Sequence, residues 1–225
     1  MKAMLLGEWT GETVDGWLMS EKFDGIRCIW IGGRLLTREG IEIAAPSWFT
    51  DALPNVTLDG ELVGRDLEHA VSVLRGGEGW DEIRYMVFDV LSDAPMHERV
   101  RELTSLDLPG HCHAVEYRTT DGIDFMDWED DIFARGGEGV VLRDPSAPYI
   151  EGRTKSALKF KRIATDEAKV ISRTGAFAVM QMPAGSTFKL RCVACAGETV
   201  TYSYQGTTRR GIPRCPAFIC VRDYE

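Results

Sequence analysis

The chain has 225 residues, 44% of them hydrophobic and 27% charged, with a formal net charge of −9. A chain of this length buries a core without disulfide or metal staples, and its composition is that of a globular protein rather than a disordered or fibrous one. No stretch reaches the ~18 apolar residues of a membrane span. Glu8 also cuts short the apolar run Ala3–Leu6 before it could serve as a secretory signal, so the sequence predicts a cytoplasmic chain with no membrane partner; a monomer is expected.

Residues 17–37 read as a strand, then a hairpin turning at Gly32-Gly33. Pro46–Leu53 suits a short helix, Val56–Val63 a strand, Leu67–Leu74 a helix, and Ile83–Leu91 a strongly apolar strand. Pro95–Leu106 suits a helix, Val115–Arg118 a strand, Asp127–Arg135 a helix, and Glu138–Arg143 a short buried strand. After Lys161-Arg162 the character changes. Short strands at Lys169–Arg173, Phe177–Met182, Thr187–Val193, Glu198–Gln205 and Ala217–Arg222 are separated by Gly and Pro, the pattern of a small β-barrel of the OB type. The expected organisation is an α+β domain with an antiparallel sheet over residues 1–162, then an OB-fold β-barrel over residues 163–225.

Charge follows the same division. Residues 1–162 hold 18 Lys/Arg against 30 Asp/Glu, and residues 163–225 hold 8 against 5. The acidity belongs to the front of the chain, so the net charge does not exclude a nucleic-acid partner, for which a local basic strip suffices. A chain of this length does not need its six cysteines as a disulfide frame, and reduced thiols are expected. Cys192, Cys195, Cys215 and Cys220 crowd the tail, but the second pair is poorly spaced for a zinc knuckle, and the reading kept is small buried strand residues.

Five segments carry chemistry. Glu21-Lys22-Phe23-Asp24-Gly25-Ile26-Arg27 enters the hairpin. Asp59-Gly60-Glu61, Phe88-Asp89, Gly137-Glu138-Gly139-Val140-Val141 and Lys159-Phe160-Lys161 follow in that order. Alternation puts Lys159 and Lys161 on one face of a strand, where like charges repel unless an anion lies between them. A polyphosphate is such an anion. Its divalent metal would need hard oxygen ligands, which Glu61 and Glu138 supply. Glycines beside both carboxylates suggest close backbone approach to a bulky ligand. Neither a Walker loop nor a dinucleotide-binding glycine pattern is present, so any nucleotide site is of another kind.

Lys22-x-Asp24-Gly25-x-Arg27 resembles motif I of the covalent nucleotidyltransferases, and the other four segments resemble their motifs III, IIIa, IV and V over residues 17–170. Thr37–Gly40, Ala45–Phe49, Thr201–Gly206 and Gly211–Phe218 resemble the small ATP-dependent DNA ligases of bacteria and viruses; residues 174–200 are divergent and hold no long insertion. The resemblance implies an adenylation domain and an OB domain that swings about a hinge near residues 163–166. It implies ATP and Mg2+ (or Mn2+) as cofactors, nicked duplex DNA as partner, and catalysis by Lys22, Asp24 and Arg27. Lys22 would attack the α-phosphate, and an amine attacks only when neutral, a form favoured by neighbouring cations. Glu21, Arg27, Arg38, Glu61, Phe88, Lys159, Lys161 and Arg214 would bind the nucleotide, with Phe88 stacked on adenine and Arg214 orienting pyrophosphate. Glu61 and Glu138 would hold metal. Arg209, Arg210 and Arg222 would meet DNA phosphates. An RNA ligase or capping-type enzyme shares motif I, so Lys22 alone does not fix the acceptor.

Overall fold

The computed structural model of the chain describes residues 2–121, 125–161, 163–208 and 210–222. Packing divides it into two compact units, 1–160 and 161–225. The expected boundary after residue 162 falls two residues later than this, and Arg162 and Arg209 lie outside the described residues.

The first unit runs β1 (Met4–Glu8), β2 (Leu18–Glu21), β3 (Ile26–Ile31), β4 (Arg34–Thr37), α1 (Ser47–Thr50), β5 (Leu58–Val63), α2 (Leu67–Gly76), β6 (Arg84–Val90), α3 (Met96–Ser105), β7 (Cys112–Ala114), β8 (Arg118–Thr119), α4 (Phe125–Ala134), β9 (Gly139–Arg143) and β10 (Gly152–Lys161). Two five-stranded sheets result, β1-β10-β9-β2-β8 and β4-β3-β5-β6-β7. The sheets are mixed, which corrects the expected antiparallel arrangement: β1 pairs with β10, and β6 with β7, in parallel. Parallel neighbours need a long crossover, and α3 provides it between β6 and β7.

Each sheet has its own core. Cys28, Trp30, Leu58, Leu62, Tyr85 and Val87 pack with Phe49, Val73 and Trp80 against one face of the second sheet. Met19, Val140, Leu142 and Leu158 pack with Trp128 and Ile132 of α4 against one face of the first. Full burial of a side chain such as Leu58 or Phe49 contributes about 1.5–3 kcal/mol. Asp66 caps α2 by accepting from His69 N at 2.7 Å, and Gly77, at φ 77°, ends the helix in the left-handed conformation.

Local differences from expectation have local causes. The helix at Pro46–Leu53 shortens to α1 because the chain tightens into a turn in which Leu53 N donates to Thr50 O. The strand expected at Val115–Arg118 forms earlier, as β7, because Cys112 takes the place opposite Tyr85. Tyr117 then leaves the ladder and its hydroxyl donates to Phe88 O. The apolar run after Lys2, given no role by the sequence, is β1.

The second unit comprises β11 (Ala164–Thr174), β12 (Phe177–Gln181), β13 (Thr187–Arg191), β14 (Thr199–Tyr204) and β15 (Ala217–Val221). They form one antiparallel sheet in the order β13-β12-β11-β14-β15. Cα atoms of the edge strands β13 and β15 come within 8 Å of each other, which gives the sheet its OB-like curl. Ala168, Val170, Met180, Phe188, Leu190, Val200 and Tyr202 fill its core. Cys192 is buried as expected, but Cys195, Cys215 and Cys220 are exposed. The buried-strand reading therefore fails for three of the four: Cys195 and Cys215 lie outside the strands, and Cys220 is on the edge strand β15.

Candidate active site

Strand alternation decides which side chains face away from the cores. Because Cys28, Trp30, Leu58 and Leu62 enter the core, Arg27, Asp59 and Glu61 lie on the opposite face, with Arg27 directly across the ladder from Glu61. On β6 the register shifts: Asp59 pairs with Asp89 and Gly60 with Val87, which leaves Phe88 as the extra residue of a bulge. Bulges re-aim a side chain, and this one turns Phe88 toward Arg27, whose Cζ sits 4.5 Å from the ring centroid. In the other sheet Met19, Val140 and Leu142 enter the core, so Ser20 and Arg143 face the other way. Lys22 follows β2 immediately, held by its N–H donating to Gly139 O at 2.8 Å.

Two of the three glycines beside the carboxylates, Gly60 and Gly137, do not open space for a ligand, which corrects the sequence reading at those positions. A methyl on Gly60 would lie 2.5 Å from Met86 O and 2.6 Å from the Tyr85 ring. A methyl on Gly137 would strike Ile132 of α4. Both glycines serve close packing of the strands and helix that carry Glu61 and Glu138.

Charged groups concentrate on this face. The Lys22 ammonium pairs with the Glu138 carboxylate, both side chains about one-fifth exposed (20% and 19%). Arg27 donates to both oxygens of Asp59, with Nη2 at 2.6 Å, and also to Met4 O at 3.3 Å. Burial works against the Arg27 charge, but the Asp59 carboxylate outweighs it and holds the guanidinium above its ordinary range. Burial pushes the Glu61 carboxyl up to about 7, against the pull of Arg27 and Lys22; Asp59 and Glu138 add to the rise. Lys159 pairs with Glu8 at 2.8 Å. Glu21 pairs with Arg135, just beyond α4. Two carboxylates, Glu61 and Glu138, one lysine, Lys22, and one arginine, Arg27, thus gather near a partly exposed aromatic ring, Phe88. That set suits a nucleotide with its phosphates and a hard cation.

No family model matches the chain. A DNA ligase of Haemophilus influenzae is 30% identical over 244 aligned residues, which cover 94% of this chain and 88% of that protein. The structure of a Lig E DNA ligase superposes with a TM-score of 0.88 at 28% identity over 99% of both chains. This chain belongs to the minimal ATP-dependent DNA ligases. The Chlorella virus DNA ligase–adenylate shares the ligase fold at a TM-score of 0.61 and 22% identity, over 100% of this chain and 99% of that one.

Within this ligase, the fold brings together Lys22, Arg27, Glu61, Phe88 and Glu138. Asp24 is half-buried in the turn between β2 and β3. Arg38 is exposed beyond β4 and pairs with its neighbour Glu39 at 2.9 Å. Lys161 ends β10 at the boundary of the two units, and Arg210, Arg214 and Arg222 belong to the second. Arg222 is paired with Glu167. Sequence reasoning missed four side chains. Asp59 is fully buried beneath Arg27. Arg143, also buried, donates to Ser20 Oγ at 2.8 Å and lies 5.1 Å from the Phe88 ring. Asp89 and Arg99 form a buried ion pair at 2.7 Å just behind them. A charge in an apolar strand was the available signal for Asp59, Asp89 and Arg143; Arg99, on an amphipathic helix, gave none.

Proposed function

We propose that Lys22 is the nucleophile of this ligase and that the chain seals nicks in duplex DNA in three steps. The Lys22 amine attacks the α-phosphorus of ATP; an N–P bond forms, the bond to pyrophosphate breaks, and the amine's proton is lost. The 5′-phosphate at a nick then attacks the same phosphorus, which frees Lys22 and leaves AMP on the DNA end. The 3′-hydroxyl attacks the activated 5′-phosphorus and AMP departs. The placement of the Lys22 amine on the Glu138 carboxylate, beside Glu61, Arg27 and Phe88, carries this reading.

Each residue has a task in it. The Lys22–Glu138 pair must open before the amine can attack, because only the neutral amine is nucleophilic. Glu61 and Glu138 offer two carboxylates, a donor set that fits magnesium or manganese completed by phosphate oxygens. The metal would supply positive charge against the polyphosphate. Phe88 offers its ring to adenine, and Arg27 and Lys159 offer fixed positive charge to ribose and phosphate. Asp24 acts in the sealing step. Glu21, Arg38 and Lys161 complete the nucleotide contacts. Arg214 orients pyrophosphate, and Arg209, Arg210 and Arg222 meet DNA phosphates. The ligase works as a monomer.

Labelled ATP and magnesium test the proposal. The chain should take up acid-labile, alkali-stable label and pass it to nicked DNA in preference to nicked RNA. Transfer only to RNA would overturn the acceptor. An unlabelled chain would overturn the mechanism.

A further inference from the structure

A fully buried carboxylate needs donors, because an unpaired buried charge is costly. Asp59 has 0% exposure and receives three hydrogen bonds: two from Arg27 and one from the Tyr149 hydroxyl at 2.7 Å. Tyr149 lies in the connection between β9 and β10, far in sequence from both. Its hydroxyl also accepts from Met4 N at 2.9 Å, while Met4 O accepts from Arg27 Nη2. The bonds close a ring: Arg27 to Asp59, Tyr149 to Asp59, Met4 N–H to Tyr149, and Arg27 back to Met4 O. Arg99 stands behind it, its Cζ 5.9 Å from the Tyr149 ring centroid. Burial, with Asp59 beside it, pushes the Tyr149 hydroxyl well above the usual phenol range, so it stays a donor.

The ring fixes a guanidinium that would otherwise swing on a long side chain. Asp59 alone fixes one edge of Arg27. Tyr149 fixes Asp59, and Met4 fixes both Tyr149 and the second edge of Arg27. Three segments, β1, β5 and the β9–β10 connection, thereby determine where one guanidinium points over Phe88. We propose that Tyr149 is a positioning residue that sets the orientation of Arg27 through Asp59, without touching nucleotide or DNA itself. The proposal rests on the reading of Arg27 as a nucleotide or nick-phosphate contact.

A double-mutant cycle tests it, using Y149F, R27K and the double variant of the full chain. Y149F removes one oxygen and keeps the ring that Arg99 faces. Single-turnover rates are read for self-adenylylation and for sealing of a pre-adenylated nick, with thermal melts alongside. The expected result is a loss of about tenfold in Y149F, the size of a lost hydrogen bond to a charged group. It should fall at the same step that R27K impairs, with no further loss in the double variant. The NMR signal of Arg27 Nε–H is expected to be sharp in the wild-type chain and to broaden in Y149F, and it reports on the ring even where melting changes. An R27K variant with both rates unchanged would overturn the reading of Arg27. An impaired R27K with Y149F losses that multiply in full, or a Y149F that changes only the melt, would overturn the role of Tyr149.

Discussion

At the residue scale, a carboxylate that titrates near neutrality makes a pH-dependent prediction. Glu61, pushed up to about 7 by burial, holds a proton in the folded chain at pH values where the unfolded chain has lost it. Its folded value lies above its unfolded one, so the stability it contributes is complete below the unfolded value near 4.5 and is lost as pH rises to about 7. Chemical denaturation of the ligand-free chain should show that decline, and E61Q should remove Glu61's share of it. A metal ligand must be ionised, so self-adenylylation should gain a component that rises through about pH 7 in the wild-type chain, and E61Q should lose that component while keeping the rise due to Lys22. Much of this site was legible in the sequence, because Lys22, Glu61, Phe88 and Glu138 sit in short patterns that local reading can find. The ring around Arg27 was not, because Met4, Asp59 and Tyr149 meet only through tertiary contacts between segments up to 145 positions apart.

At the element scale, the bulge in β6 couples fold to site. Phe88 faces Arg27 because Gly60 lets β6 come close enough for two residues to oppose one. G60A would drive a methyl into the Met86 carbonyl and the Tyr85 ring, and backbone cannot yield as a flexible side chain does. A loss of about 2–3 kcal/mol is expected, at the upper end of the range for overpacking, and a urea titration would measure it. A G60A chain of wild-type stability would mean that the close approach is not what the glycine serves. Strand positions were readable from apolar runs and glycine punctuation: four of the second unit's five strands fall close to their expected places, and β11 begins at Ala164, five residues before the expected Lys169. Pairing directions were less so. The parallel partners β1–β10 and β6–β7 depend on which edges remain open after the other strands have paired, and no local pattern records that. Glycine roles were misread for the same reason: an adjacent carboxylate is visible in the sequence, and a strand packed from behind is not.

At the scale of the whole molecule, charge and chemistry are divided unevenly. The first unit carries the candidate nucleophile and all of the acidic excess, and the residues beyond it carry a small basic excess. The proposed function gives the second unit the anionic partners, pyrophosphate and DNA, and its basic excess is consistent with that role. R214A should therefore slow self-adenylylation while leaving the sealing of a pre-adenylated nick near wild-type speed, which single-turnover assays on the two substrates would separate. Equal losses at both steps would remove the pyrophosphate role. The connection between β13 and β14 spans only residues 192–198, so the second unit has no long arm there to wrap a duplex. All of these roles depend on one covalent bond. Digestion of the chain after incubation with ATP and magnesium, followed by mass mapping of the peptides, should place AMP on Lys22, with no adduct in K22A. AMP on a different residue, or an adduct that persists in K22A, would contradict the account.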